Sequence, residues 1–403
     1  MSTRHRVLGL AVSLWALPVH AQHADTLSTE TLAPGVTHMR LVRNAGPWVV
    51  HVVRADLHRA HVNLREVRAH DQLTSRERVS AMVARRAAAG DQVLAAVNAD
   101  FFDLATGANE NNVLIDGEWW KGVRLTESPF DTFHNVHAQF AVSATGAPRL
   151  DRFVFDGWVR TAWSSFPLIA LNALPAGTHE GTALWTPRAG AATPRDTTRP
   201  TSELTLAPAG RHGDTALYIR RSASRGGGST IPRDGAVLAA YGARTAAVDS
   251  TADGDTLRLT LGLTPWPASS RKGDGPALVI GGWPRILRDG ANVATRAPAD
   301  EGTISRNAEV RHPRTAVGFS RDSSTLFLVT VDGRSTASAG MTLVELADFM
   351  RELGAWQALN FDGGGSTTMV IGGRVLNVPS DRTGEREVGN ALLLLGRPAP
   401  KGR

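Results

Sequence analysis

The chain has 403 residues, of which 42% are hydrophobic and 20% charged, a composition typical of globular proteins that bury a sizeable core. It has no cysteine, which excludes disulfides, cysteine-based metal sites and a thiol nucleophile. The formal net charge is +6, but the arginines that carry most of the positive charge are scattered and form no basic run, so we expect no nucleic-acid partner.

The first residues have the pattern of a secretory signal. A basic segment, MSTRHR, precedes an apolar segment, VLGLAVSLWALPV, and small residues around position 21 are typical of a signal-peptidase site. We predict a signal peptide over 1–21 and a periplasmic or secreted protein, with an uncleaved anchor as the alternative. No later segment approaches the roughly 20 apolar residues of a membrane-spanning helix, so no span is expected after cleavage.

Residues 22–89 are predicted to form strands and a first helix that pack on the core. Apolar and polar residues alternate in VTHMRLVR, WVVHVVRADL and VNLREVRA, which predicts half-buried strands. Residues 74–77 (TSRE) match a capping box, and apolar residues then recur at helical spacing as far as Gly90. A short buried strand, VLAAVNADFF, and a hairpin turning at Asp116-Gly117 come next.

The remainder of the chain is predicted to be mostly strands and turns. Residues 173–215 are rich in Pro, Ala, Gly and Thr without periodicity, which predicts long surface loops or an insertion. A second helix is expected after the capping box at 342–345 and before Gly354. The fold class is therefore α+β, a single domain dominated by antiparallel or mixed β-sheet with two principal helices.

Two helix–strand units resemble each other. Each runs from a helix through a glycine into an apolar strand that ends in Asn-x-Asp, at 98–100 and at 360–362. We hypothesise that the two units are equivalent in the fold and present their Asn-x-Asp ends to one shared cleft. The alternative is that helix, glycine and strand simply form a common construction.

Three glycines, Gly363, Gly364 and Gly365, directly follow Asp362 in the stretch ALNFDGGGSTTMV. Successive glycines can aim several backbone amides at one point and let a ligand approach the main chain. With the hydroxyls of Ser366, Thr367 and Thr368 beside it, such a nest suits a phosphate or a sugar. A strained hairpin or bulge remains the structural alternative, and neither a P-loop nor a nucleophile elbow fits the spacing.

The string NFDGGGSTTMV, preceded by a predicted helix and LGAWQAL, resembles the signature of the phosphodiester glycosidase family. NADFFD, RHPRTAVGFS, VDGR, NVPSD and REVGNALLL occur in the family's order, so that the resemblance covers roughly residues 90–397. It implies a phosphodiester glycosidase-like domain there and a hydrolase that removes a sugar from a sugar–phosphate diester at the anomeric carbon. The substrate would be a sugar-1-phosphodiester or a related envelope or exopolysaccharide glycan.

Such a reaction needs the charge of the leaving phosphate to be held, because a phosphate monoester is already a good leaving group. Arg314, in the RTAVG motif, is the candidate clamp for phosphate or sugar, assisted by the amides of Gly363–Gly365. An ordinary ion pair is the alternative for Arg314.

The transition state also needs carboxylates near the anomeric carbon. Asp362 is the first choice, as a base or an electrostatic stabiliser, and Asp100 the second, although many family members have glycine there. Glu110 lies in GANENN, where the sequence departs from the family pattern, so its role stays open. Further candidates are Asp332 and Glu385 among the acids, and, as hydrogen-bonding groups for sugar or for neighbouring backbone, Asn98, Asn360 and Asn390.

Trp119 and Trp120 suit either sugar stacking or the core. His134 and His137 lack a third ligand, so no metal is expected, with a hard cation such as calcium at Asp362 or Asp100 as the alternative. Two other functions stay open: a non-catalytic glycan-binding or polysaccharide-assembly protein on the same fold, and a phosphodiesterase that cuts the P–O bond.

Overall fold

The computed structural model describes residues 26–44, 46–59, 61–127, 134–176, 180–265, 275–302 and 308–396. The signal peptide predicted over 1–21 lies outside them. The protein is mostly β-sheet with few helices, which confirms the sheet-dominated α+β class. That the sheets form a single domain remains a prediction.

The strands of the first half are β1 Thr26–Ala33, β2 Val36–Arg43, β3 Trp48–Asp56, β4 Val62–Arg68, β5 Glu77–Arg78, β6 Gln92–Asn98, β7 Val113–Ile115, β8 Glu118–Val123, β9 Thr126–Glu127, β10 His134–Asn135, β11 Ala138–Ser143, β12 Pro148–Phe155, β13 Gly157–Arg160, β14 Ser165–Leu168, β15 Ala170–Leu171 and β16 Gly181–Trp185. Those of the second half are β17 Thr201–His212, β18 Thr215–Arg225, β19 Ala236–Tyr241, β20 Thr256–Thr260, β21 Leu263–Pro265, β22 Pro276–Gly281, β23 Arg285–Arg288, β24 Ala291–Asn292, β25 Arg314–Phe319, β26 Thr325–Val331, β27 Gln357–Phe361, β28 Met369–Ile371, β29 Arg374–Val375, β30 Glu387–Val388 and β31 Asn390–Gly396. The α-helices are α1 Val79–Ala88, α2 Thr245–Asp249, α3 Ala297–Glu301 and α4 Leu343–Glu352.

Two sheets carry the candidate site. An eight-stranded sheet has the order β1-β2-β3-β26-β25-β27-β23-β24, and a five-stranded sheet the order β29-β28-β6-β31-β4. Strands from 22–89 pair directly with strands near the other end of the chain, β3 with β26 and β4 with β31. The N-terminal segment is thus integral to both sheets rather than laid over them.

These sheets pack face to face and each carries a helix on its outer face. Val97 of β6 and Leu392 of β31 share a buried cluster with Val317 of β25 and Phe361 of β27. The apolar stripe of α4 covers the other side of the eight-stranded sheet, and α1 covers the five-stranded sheet. Strands β26 and β27 are therefore covered on both faces, which explains why they read as continuous apolar runs.

The helix starts differ in how well the capping pattern predicted them. Thr342 and Glu345 form the predicted capping box of α4. The box predicted at 74–77 is wrong: Glu77 belongs to β5 and its carboxylate accepts from Arg85 over 2.9 Å, so α1 begins only at Val79. Glu385, one of the acids considered for the active site, instead accepts from the amide of Ser80 over 2.8 Å at the N-terminus of α1.

A fourteen-stranded sheet has the order β14-β13-β20-β18-β17-β19-β16-β15-β8-β7-β22-β11-β12-β21. The hairpin predicted at Asp116-Gly117 is confirmed, because both residues have positive φ between β7 and β8. The prediction of long loops over 173–215 is wrong, since this segment contains β16 and most of the long β17–β18 hairpin. Leu204 and Leu206 point into the core, but Thr, Ala and Pro around them hide the alternation.

Candidate active site

The two Asn-x-Asp strand ends lie against each other where the five- and eight-stranded sheets meet. The side-chain amide of Asn98 donates to the main-chain oxygen of Asp362 over 2.7 Å. The main-chain N–H of Asp362 in turn donates to the carbonyl of Ala99 over 2.8 Å. The two strand ends therefore lie side by side, but the hypothesis that both face one shared cleft is wrong, because only the second unit lines the cleft described next.

A cleft of about 240 Å³ opens at this junction and is named here the Asp362 cleft. The carboxyl of Asp362 and the main chain of Gly363 and Gly364 form part of its wall. The remaining lining residues are Phe101, Phe102, Leu104, Glu110, Trp283, Pro284, His312, Arg314, Arg334, Leu343, Asn360 and Arg386. The lining thus combines aromatic and apolar side chains with three arginines.

Side chains are excluded sterically along the glycine run. A Cβ on Gly363 would lie 2.6 Å from the carbonyl oxygen of Pro313, and one on Gly365 would overlap the side chains of Asp381 and Arg386. Gly364 has a φ of +60°, in the left-handed region that favours glycine. The run therefore serves both a tight turn, the 3₁₀ turn Gly364–Ser366, and a close approach of neighbouring groups.

The predicted anion nest is not formed by the first two glycines. The N–H of Gly363 donates to Oδ1 of Asp362 over 2.9 Å, and the N–H of Gly364 donates to the carbonyl of Pro313 over 2.9 Å. Both amides are therefore already engaged within the protein. Their bonds fix the loop and orient the Asp362 carboxylate, which leaves the arginines as the main cationic groups at the cleft.

Arg314, the predicted clamp, lines the cleft but is almost completely buried. Its Nε donates to the carbonyl of Met341 over 2.9 Å and its Nη2 to the carbonyl of Val310 over 3.0 Å. Burial lowers the pKa of Arg314 to about 10, and the nearby Arg334 adds to this effect. The guanidinium thus ties the chain segments around the cleft together and places a positive charge in its wall.

Two arginines that we did not select from the sequence also line the cleft. Arg334 is exposed, has a φ of +59°, and donates through Nη1 to Ser380 Oγ over 3.4 Å. Arg386 is held by a two-point ion pair with Asp381, at 2.7 and 3.0 Å. Arg334 belongs to the motif VDGR and Arg386 to the motif REVGN. Their place in these family motifs is the sequence feature that could have identified them as site residues.

Asp362 is half-buried and lines the cleft. Burial raises its pKa to about 6, against hydrogen bonds from Ser366 and the Gly363 amide and the charge of Arg386, all of which lower it. At pH 7 this group is mostly ionised. It is therefore available as a base or as a negative charge facing a developing cation.

Glu110, whose role the sequence left open, faces the same cleft. Burial, together with the negative charges of Asp100 and Asp362, raises its pKa to about 8 against the opposing effect of Lys121. Its Oε2 atom is buried and has no hydrogen-bond partner among the described residues. At pH 7 Glu110 is thus mostly protonated and holds a proton that it can donate.

Asp100 lies behind the cleft rather than in its wall. It is 2% exposed, and its carboxylate accepts from the side chain of Asn111 over 2.7 Å and from the amide of Asn111 over 3.1 Å. Asn390 accepts from the Asp100 amide and donates to Glu66 over 2.7 Å. Asp100 and Asn390 therefore form a buried polar network that supports the site.

The other predicted polar residues divide between wall and support. Asn360 lines the cleft; its amide donates to the carbonyl of Trp283 over 2.6 Å, and its buried Oδ1 has no partner among the described residues. Asn98 is fully buried, with Thr315 and the Thr368 amide donating to its Oδ1. Asp332 is buried too and accepts from the amide of Val378 over 3.0 Å. Asn98 and Asp332 therefore form hydrogen bonds within the protein and support the site from behind the cleft.

The hydroxyls after the glycines are not on the cleft surface. Ser366, Thr367 and Thr368 are each at most 1% exposed. Ser366 lies between the Asp362 carboxyl and Arg386, whose Nη1 is 3.4 Å from its oxygen. Ser366 therefore orients the charged groups of the site, whereas the hydroxyl oxygens of Thr367 and Thr368 are buried without a described partner.

The tryptophan that lines the cleft is Trp283 rather than Trp119 or Trp120. The ring of Trp283 packs edge-on against Phe101 at 5.7 Å and stacks on His137 at 4.7 Å. Trp119 packs on Phe155, and Trp120 lies under Arg188 in a cation–π contact of 4.0 Å. Neither lines the cleft, and no group of three or more potential metal ligands occurs within the described ranges.

The comparisons with known proteins agree with the motifs. Residues 214–395 match the family model described as phosphodiester glycosidase, which confirms the resemblance seen in the motifs for that segment. The match begins after NADFFD, and Glu110 therefore lies outside it.

Proteins similar to this chain include an enzyme of Mus musculus, by sequence, and two solved structures, by fold. N-acetylglucosamine-1-phosphodiester alpha-N-acetylglucosaminidase of Mus musculus is 40% identical over 82 residues, which are 20% of this chain and only 16% of the mouse protein. A hypothetical protein from Synechocystis superposes with a TM-score of 0.74 at 22% identity, over 92% of this chain and 64% of that chain. A putative exported protein from Burkholderia pseudomallei K96243 gives 0.70 at 21% identity, over 95% and 100%. These structures share the fold.

Proposed function

We propose that the protein is an exported glycoside hydrolase that releases a sugar from a sugar-1-phosphodiester or a related envelope or exopolysaccharide glycan. The observation that carries this proposal is the pairing of two carboxyl groups in one cleft with separated pKa values, about 6 for Asp362 and about 8 for Glu110. Two such groups in different environments are the usual arrangement for an acid and a base acting together.

In the proposed reaction Glu110 is the general acid. It donates its proton to the oxygen that links the anomeric carbon to phosphorus while the C–O bond breaks and the bonding electrons stay with that oxygen. Asp362, ionised, stabilises the positive charge that develops on the sugar ring or takes a proton from the attacking water. Water supplies the new hydroxyl at the anomeric carbon, and the phosphate leaves as a monoester.

The phosphate is proposed to lie against the three arginines of the cleft lining, Arg314, Arg334 and Arg386. Arg334 is exposed and Arg386 is fixed by Asp381, so both can offer N–H groups to phosphate oxygens in charge-assisted hydrogen bonds. Buried Arg314 adds positive charge from behind. Trp283 and Phe101 offer apolar faces to the sugar, and the unpartnered Oδ1 of Asn360 can accept from a sugar hydroxyl.

A panel of sugar-1-phosphate methyl esters and simple glycosides tests this proposal. We expect release of free sugar from at least one phosphodiester and its loss in Asp362→Asn with an unchanged circular dichroism spectrum. Hydrolysis in ¹⁸O-labelled water is expected to place the label in the sugar, whereas label in the phosphate would indicate P–O cleavage.

The alternative from another class is a glycan-binding or polysaccharide-assembly protein without turnover. It shares the cleft and the unpartnered Asn360 oxygen. Tight binding of a panel member without hydrolysis, equal in wild type and Asp362→Asn, would favour this alternative over the hydrolase.

Export is proposed from the basic and apolar segments before residue 21, and the fold relative from Burkholderia pseudomallei bears the description of a putative exported protein. None of the helices in the described part of the chain is long and apolar enough to cross a membrane. Expression of the full chain in a Gram-negative host, followed by fractionation and N-terminal sequencing, is expected to give periplasmic protein that begins after Ala21. We also propose that residues 90–397 contain the phosphodiester glycosidase-like domain and that 173–215 is an insertion into it.

A further inference from the structure

An exposed face of the fourteen-stranded sheet carries an arrangement that the proposed active site does not use. In β13, Trp158 and Arg160 are exposed, whereas Gly157 and Val159, which alternate with them, face the core. The neighbouring strand β20 alternates in the same way, with Arg258 exposed between buried Leu257 and Leu259. One face of this strand pair therefore closes the core, and the other is open to solvent.

Arg160 and Arg258 occupy directly opposite positions on these two antiparallel strands. Side chains in that relationship start from Cβ atoms only about 5 Å apart, and like charges there destabilise a sheet. Neither guanidinium forms an ion pair with a carboxylate of the described residues. The pair thus concentrates two uncompensated positive charges on a small area.

Two tryptophans accompany this charge. Trp158, on the same face and one pair further along opposite Thr260, is 39% exposed, and Trp163 in the turn between β13 and β14 is 87% exposed. The indole N–H of Trp158 donates to Asp156 over 3.2 Å, which fixes the edge of the ring. Large apolar rings in water are unfavourable unless they contact a partner.

We propose that this face, the Trp158 surface formed by Trp158, Arg160, Trp163, Thr256, Arg258 and Thr260, binds a polysaccharide whose sugar rings bear carboxylates. An indole face packs on the apolar C–H face of a pyranose ring, and guanidinium groups pair with carboxylates in two-point hydrogen bonds. The hydroxyls of Thr256, which is exposed, and Thr260, which is half-buried, suit the sugar hydroxyls.

A single-stranded nucleic acid also uses aromatic and arginine contacts, but it needs a longer basic groove that follows its backbone. The Trp158 surface holds two arginines side by side, flanked by hydroxyl side chains. These features favour a uronate polymer.

Calorimetric titration of the full protein with polygalacturonate oligomers at low salt tests the proposal. We expect binding that is absent with neutral dextran, weakened at least tenfold in Arg160→Gln/Arg258→Gln and at least fivefold in Trp158→Ala. Arg54→Gln, which removes an exposed arginine from the eight-stranded sheet, is the matched control and is expected to bind like wild type. Because these changes are on the surface and relieve like-charge repulsion, the melting temperature of the double arginine variant is expected to stay equal or rise.

Four outcomes would overturn the inference: no binding of polygalacturonate, equal binding of dextran, tighter binding of oligothymidylate, or equal weakening by Arg54→Gln. None of them depends on catalysis. Hydrolysis at the Asp362 cleft and binding at the Trp158 surface therefore succeed or fail separately.

Discussion

The side-chain amide of Asn98 donates to the main-chain oxygen of Asp362 across 2.7 Å, and this bond joins the end of β6 to the end of β27. The same side chain accepts through its Oδ1 from Thr315 and from the amide of Thr368. One buried residue thus holds together the two sheets and the loop that carries the Asp362 carboxyl. Its three hydrogen bonds all end on protein groups.

Asn98→Ala is expected to lower the free energy of unfolding by about 2–4 kcal/mol, because three buried partners lose their hydrogen bonds at once. Chemical denaturation measures this loss. Asn98→Asp keeps an acceptor but loses the donor to Asp362, and it is expected to affect kcat more than KM. Equal stability of wild type and Asn98→Ala would contradict the bracing role.

Activity is expected to depend on pH through both carboxyls. It should rise as the pH increases through about 6, where Asp362 loses its proton, and fall as the pH increases through about 8, where Glu110 loses its own. A pH profile of kcat/KM on an active phosphodiester measures both limbs. Glu110→Gln is expected to reduce kcat about 10²–10⁴-fold and to remove the alkaline limb.

Stability should depend on pH in the direction that a raised pKa dictates. The folded-state pKa of Glu110 lies above its ordinary value of 4.5, so its contribution to stability is fully present below about 4.5 and is lost as the pH rises through about 8. Thermal melts between pH 5 and 9 are expected to show a steeper fall for wild type than for Glu110→Gln. A parallel pair of curves would show that Glu110 is not desolvated in solution.

Arg334 is expected to act on the phosphate rather than on the sugar. Arg334→Gln should raise KM for a sugar-1-phosphodiester by about 10–100-fold, which corresponds to the loss of one or two charge-assisted hydrogen bonds. Arg382→Gln, which removes an exposed arginine outside the cleft lining, serves as the charge-matched control. If both variants raised KM equally, Arg334 would act only through the overall charge of the protein and not through contact with the phosphate.

The glycine run makes a steric prediction. Gly365→Ala is expected to cost about 1–3 kcal/mol and to disturb the Asp381–Arg386 pair, because the new Cβ overlaps both side chains. Gly275→Ala, at a position with open space and no positive φ, is the matched control and should leave stability nearly unchanged. Chemical denaturation and KM together report the two effects.

Sequence patterns predicted some parts of this protein well, for physical reasons that can be named. Alternation and helical spacing report burial directly, so α4, the Asp116-Gly117 hairpin and the two Asn-x-Asp strand ends could be placed. Sequence patterns predicted the wrong structure where one local pattern is compatible with two structures. Glu77 satisfies a capping box by sequence, yet Arg85 engages its carboxylate and the helix starts later.

The site was harder to predict because the direction of a side chain is a tertiary property. Asp100 and Asp362 end similar strands, but the carboxylate of Asp100 is hydrogen-bonded to Asn111, whereas Asp362 lines the cleft. The roles of Glu110, Arg334 and Trp283 depend on neighbours distant in sequence. Desolvation, which separates the two carboxyl pKa values, has no local pattern that a sequence can display.

The central position of β31 in the five-stranded sheet has a consequence for biosynthesis. This strand, Asn390–Gly396, lies between β4 and β6 and brings Asn390 to Glu66 and to the amide of Asp100. A growing polypeptide therefore cannot complete the sheet that supports Asp100 until Asn390, 324 residues after Glu66, has been made. Pairing across such a separation in sequence is slow, so we expect the five-stranded sheet to be completed late in folding.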